Sequence, residues 1–147
     1  MDTTTNVIKN VSYSSTDAKG NEYVLNANEG QIDLNNDKVI FLTDVKGTII
    51  TTSEEIINIQ SKFGKYDINN YDTIFSENVV IKYEDNTIKG NYVDFSLNRN
   101  SLIISKNVVY LNQKNLLRAD VVEINISTKD TKIFMYEEEK KVRIKSK

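Results

Sequence analysis

The chain reads as an all-β protein, an elongated, twisted, open β-jelly roll of antiparallel strands built from repeated bent hairpins. Three observations carry that expectation. A β-patterned unit recurs in four copies that begin at Leu25, Ile59, Ile88 and Leu117, at steps of 34, 29 and 29 residues. Within each copy the alternation of apolar and polar residues slips phase once. Each copy turns on a polar segment rich in Asn, Asp and Ser, and no segment carries a convincing helical period. Repeats of this length are one supersecondary unit stacked on itself around a shared apolar interior.

The elements follow in order. Val7 to Tyr13 reads as a strand, Ser14 to Gly20 as a turn, and Glu22 to Leu34 as the strand entering the first copy. Lys19-Gly20-Asn21 between two strands calls for a left-handed backbone, which makes Gly20 a structural turn residue. In each copy apolar or small residues stand at offsets 0, 2, 5, 7 and 9 from its start. The step of three, from 2 to 5, adds a residue to the strand, and an added residue is a bulge or corner where a strand passes between sheets. The turns 35–38, 69–72, 98–101 and 127–130 follow. A second strand then carries Phe41, Phe75, Ile104 and Ile133 at offset 16 and Val45, Val79 and Val108 at offset 20.

Turns at 84–86 and 112–115 join successive copies, and Thr51 to Glu55 is a longer loop. Ser53 to Gln60 opens on a cap-like Ser, but its Ile56, Ile57 and Ile59 are β-branched and favour a strand. Thr131 to Tyr136 and Lys141 to Ile144 flank the acidic turn Glu137-Glu138-Glu139 and read as a terminal strand pair. Hairpin turns argue against a parallel β-helix. A corner in every copy argues against a closed barrel, which leaves the jelly roll with two open ends.

At 147 residues the chain suits one domain spanning 1–147. A net charge of −2 with interleaved signs gives no basic footprint, so no nucleic acid is expected as a partner. Without His or Cys, zinc centres, Ser-His-Asp triads and thiol nucleophiles are excluded. Asp33, Asp67 and Asp94 recur near turns but form no dense ligand loop, so no metal is expected. No apolar run reaches the roughly 18 residues that span a bilayer. The opening Met1-Asp2-Thr3-Thr4-Thr5-Asn6 is polar and unlike a signal peptide, so either the protein stays in the cytosol or a targeting segment lies upstream.

The shared offsets mark a candidate interior stripe: Ile32, Leu34, Val39, Phe41, Val45, Tyr66, Ile68, Phe75, Val79, Phe95, Leu97, Ile104, Val108, Ile124 and Ile126. Copy four departs from the pattern at its end, and terminal repeats differ because one side lacks a neighbour. Thr131, Ile133, Met135, Val142 and Ile144 therefore mark a candidate docking edge, since an unpaired strand offers backbone groups to an incoming one.

Ala18-Lys19-Gly20-Asn21-Glu22-Tyr23-Val24-Leu25-Asn26-Ala27 resembles the opening hairpin of the LptC-like proteins of lipopolysaccharide transport. The repeated unit, from about Val7 to Ile126, is similar to the wider group that also holds the LptA-like bridge proteins. The resemblance implies a non-enzymatic lipid carrier with no catalytic residue and no cofactor. Such a carrier accepts lipopolysaccharide from the membrane subunits of an inner-membrane ABC transporter and passes it to an LptA-like bridge protein. It implies a periplasmic location with a tether to the inner membrane by an upstream helix that is missing here. It makes the apolar stripe a lipid-lined interior, with Phe41 as an inner-face aromatic, and it makes the docking edge a sheet-to-sheet contact. Asp44, Glu77 and Lys106 depart from the resemblance, standing where many relatives place Gly before the Asn-Val step. Two other readings stand beside it: a soluble LptA-like bridge subunit, and a structural β-repeat protein with a fully packed interior.

Overall fold

A computed structural model describes residues 7–135 and 143–146. These form β1 (Val7–Thr16), β2 (Glu22–Asp33), β3 (Asn36–Ile50), β4 (Ile56–Asp67), β5 (Thr73–Tyr83), β6 (Asn86–Ser96), β7 (Ser101–Leu111), β8 (Asn115–Asn125), β9 (Thr131–Phe134) and β10 (Arg143–Ser146). All pair antiparallel in one ten-stranded sheet in chain order from β1 to β8. Among the described residues there is no helix. The fold is an open β-jelly roll, as the repeat predicts.

Each long strand bends at one corner, and the ladder skips a row there. Between β1 and β4 the pairing passes over Asn10, Asn28, Asp44 and Lys62 while their neighbours stay in register. The corner divides each of β1 to β8 into two halves. The first leaf comprises the halves next to turns 17–21, 51–55, 84–85 and 112–114. The second leaf comprises the halves next to tips 34–35, 68–72, 97–100 and 126–130.

The way a strand takes its corner decides which side chains face inward. In β5 the corner pair Glu77 and Asn78 is left-handed, with φ of 66° and 54°, and in β7 the pair Lys106 and Asn107 is too, at 68° and 60°. Two such residues make the inward positions step by four, from Phe75 to Val79 and from Ile104 to Val108. In β3 Asp44 alone is left-handed, φ 55°, and the inward step is three, from Leu42 to Val45. Counting four back from Val45 reaches Phe41, which points outward and is 43% exposed. Phe41 is thus not an inner-face aromatic; Leu42 takes that place, opposite Gly30 and Gly64.

The leaves cross. The Tyr13 ring of β1 meets Tyr66 of β4 at 4.9 Å, and Tyr23 of β2 meets Phe95 of β6 at 4.3 Å. Tyr83 of β5 reaches Thr131 of β9 through their hydroxyls at 3.0 Å. First-leaf strands therefore lie over second-leaf strands three or four places further along the sheet, the sum of the twist between neighbouring strands. Gly47 brings the leaves close, since a Cβ there would stand 3.1 Å from Phe75 Cζ and 3.4 Å from Tyr23 Cε1.

This crossing corrects two further expectations. Leu34 and Ile68, at the tips of copies one and two, are exposed, whereas Leu97 and Ile126 at the matching positions are buried under the first leaf. The terminal strands do not pair with each other either: β9 lies along Val121–Ile124 of β8 and β10 along Asn115–Arg118. They act as two halves of a ninth bent strand. The acidic turn at 137–139 and Val142 lie outside the described residues.

Candidate functional site

The candidate site is the apolar interior between the leaves and the mouth that closes it. Val45, Tyr66, Phe75, Val79, Phe95, Leu97, Ile104, Val108, Ile124 and Ile126 meet in one buried cluster, and Ile32, Ile133 and Met135 are half-buried against it. Val39 is buried but stands outside that cluster, on the same outward face of β3 as Phe41. Thr131 is half-buried at the start of β9, and the backbone of Ile144 pairs with Leu117.

The stripe read from the offsets omits most of the first leaf. Tyr23, Leu25, Ile49, Ile57, Ile59 and Ile81 are all at most 1% exposed. A period of two continued back from each copy start would have reached Tyr23 and Ile57, so the signal was present. The interior is packed by side chains. Phe75, Phe95, Ile104, Ile59 and Ile88 are wholly buried. Burial pushes the Tyr66 and Tyr110 hydroxyls up to about 12, and that of Tyr23 further still.

At the mouth, first-leaf turns meet a second-leaf tip. Asp17 organises the first turn: its carboxylate accepts the backbone N–H of Lys19 at 3.0 Å and of Asn21 at 2.8 Å, and Asn21 Nδ2 at 3.0 Å. Gly20 stands in this turn at φ +93° and donates its N–H to the Asp17 carbonyl. Buried Asn21 then ties three segments, its Oδ1 accepting the Thr52 N–H at 3.2 Å and its Nδ2 reaching Ser127 Oγ at 3.5 Å. Beside it, Lys129 of the second leaf forms an ion pair with Glu55 of the first. At the β1 end the interior is less covered, and Ile8, on the inward side of its strand opposite Gly30, is 47% exposed. A separate groove of about 520 Å³ lies along the corner of β1 to β4, bordered by Asn10, Asn28, Asp44, Lys46 and Gln60.

A crossed, bent-hairpin sheet with a continuous apolar interior and a polar mouth defines an open β-jelly roll. The LptC-related lipopolysaccharide-assembly family matches the chain over residues 1–147, and the chain belongs to it. No curated protein matches the chain.

Proposed function

We propose that this protein carries lipopolysaccharide between its two leaves, receiving it from the membrane subunits of an ABC transporter and passing it to an LptA-like bridge protein. Family membership places it in lipopolysaccharide assembly. The observation that carries the finer reading is the continuous inward stripe through Phe75, Phe95, Ile104 and Val108, with polar ties between the leaves at its mouth. Each exposed CH₂ costs about 0.8 kcal/mol in water, so an acyl chain of about 12 carbons costs about 10 kcal/mol unshielded. The stripe removes that cost once the leaves part. No step needs a catalytic group, and the transporter's ATP cycle supplies direction. The carrier works in the periplasm, tethered to the inner membrane.

A photo-crosslinking residue at Ile104 or Val108 should label lipopolysaccharide while the transporter runs, and one at Phe41 should not. Strong labelling at Phe41 with none at Ile104 overturns the reading. The complete burial of Phe75, Ile104 and their neighbours favours the second reading, a structural protein whose packed interior never opens. Absence of labelling at every inward site, with assembly intact, would establish it.

The sheet edges serve docking: β9 with β10 at one side and β1 at the other. Deleting residues 131–147 should abolish binding to the bridge protein, measured against the full chain. Undiminished binding moves the docking edge to β1.

A further inference from the structure

We propose that Lys129 is the anion-binding residue at the mouth, and that its ion pair with Glu55 is a latch opened by the phosphate of an acylated lipid. This rests on the carrier reading above. Two features set the pair apart. Among the described residues it is the one ion pair that ties the two leaves together, since Lys9–Glu29 and Arg99–Asp94 each join residues of the second leaf. The neutral tie beside it, Asn21 to Ser127, is at 3.5 Å the long limit of a hydrogen bond. The charged pair is therefore the stronger of these two polar ties.

Position and burial suit the exchange. The Lys129 side chain is only 14% exposed, and its backbone is held at φ 62° with its N–H on the Asn125 carbonyl at 2.7 Å. The ammonium is thus confined to the mouth. Glu55, at 38%, faces water enough to stay hydrated once released. Buried Ile126 and Leu97 belong to this tip and its neighbour, so an acyl chain attached to a phosphate on Lys129 would have apolar surface at hand. A phosphate offers Lys129 more acceptor oxygens and more charge than one carboxylate does. Exchange of Glu55 for phosphate unties the leaves as the headgroup arrives.

The test is calorimetric binding of dodecyl phosphate, dodecyl maltoside and inorganic phosphate to the full chain and to Lys129→Gln, Glu55→Gln and Lys129→Arg. Lys129→Gln should weaken dodecyl phosphate about fivefold and Glu55→Gln tighten it about fivefold, the scale of a partly exposed ion pair. Both should tighten dodecyl maltoside, because both undo the latch, and Lys129→Arg should match wild type on dodecyl phosphate. The proposal is overturned if the two Gln variants shift dodecyl phosphate in the same direction. It is also overturned if inorganic phosphate binds as tightly as dodecyl phosphate, which would make Lys129 a free-anion site. If neither acylated probe binds the wild-type chain while its fold is intact, the carrier reading fails and the latch fails with it.

Discussion

Tyr23 donates its hydroxyl to Thr73 Oγ1 at 3.0 Å in a buried bond that joins the first leaf of β2 to the start of β5 on the second. Thr73 in turn donates its own hydroxyl to the Tyr71 carbonyl at 3.2 Å, so the phenol heads a short hydrogen-bond chain that ends in the tip of copy two. Both residues are at most 1% exposed. Fifty residues of sequence separate the two ends of a bond that fixes how the leaves cross.

Tyr23→Phe should lower stability by about 1–1.5 kcal/mol, because Thr73 Oγ1 is left as a buried acceptor without a donor. Thr73→Val in the Tyr23→Phe background should cost less than it does alone. Urea unfolding of the four proteins in a double-mutant cycle measures the coupling, and strictly additive losses would show that the bond contributes nothing.

Gly20→Val should cost about 1–2 kcal/mol, since φ +93° is closed to a β-branched residue and its Cβ would stand 3.1 Å from Thr52 Cγ2. The loss should concentrate at the mouth. Hydrogen exchange at the Asn21 and Thr52 amides should quicken before that of Phe75 or Ile104. Uniform quickening would mean that the turn is coupled to the whole sheet.

The corners carry strain that glycine relieves. Glu77→Gly should raise stability by about 0.5–1 kcal/mol, the left-handed penalty less the added chain entropy. Lys106→Gly should gain less, because the Lys106 ammonium lies 5.2 Å from the Tyr92 ring centroid. Asp44→Gly should gain least, since Asp tolerates this conformation and accepts a bond from Asn28 Nδ2 at 3.3 Å. Urea midpoints rank the three, and a loss at position 77 would refute the strain.

Alkaline stability should depend on Tyr66. Burial, with further repulsion from Tyr71, Tyr13 and Asp67, raises its hydroxyl from 10.0 to about 12. The folded protein keeps this proton where the unfolded chain has lost it, so stability is full below pH 10 and falls between about 10 and 12. One such group gives a slope of at most about 1.4 kcal/mol per pH unit. Tyr66→Phe should flatten the fall without removing it, because Tyr110 is raised in the same way. Unchanged slopes across pH 10–12 in the variant would exclude Tyr66 as a contributor.

Local pattern alone determined much of this protein. The copy starts Leu25, Ile59, Ile88 and Leu117 all face inward, and the step of three after each marks a corner, because side-chain direction along a strand follows from period and a single added residue. Two decisions belonged to the tertiary structure. One is the number of left-handed residues at each corner, one in β3 and two in β5 and β7, which turned Phe41 outward although its offset matched Phe75. Glu77 and Lys106 carry no local signal for it, since such residues adopt that backbone only when the surrounding sheet holds them there, and Asp44, which tolerates it, does not say whether one residue or two will turn. The other is the crossing of the leaves, which buries Ile126 and leaves Ile68 in water and brings Glu55 to Lys129. Twist accumulates over the whole sheet, so which turns meet at the mouth is a property of all the strands together and of no single repeat.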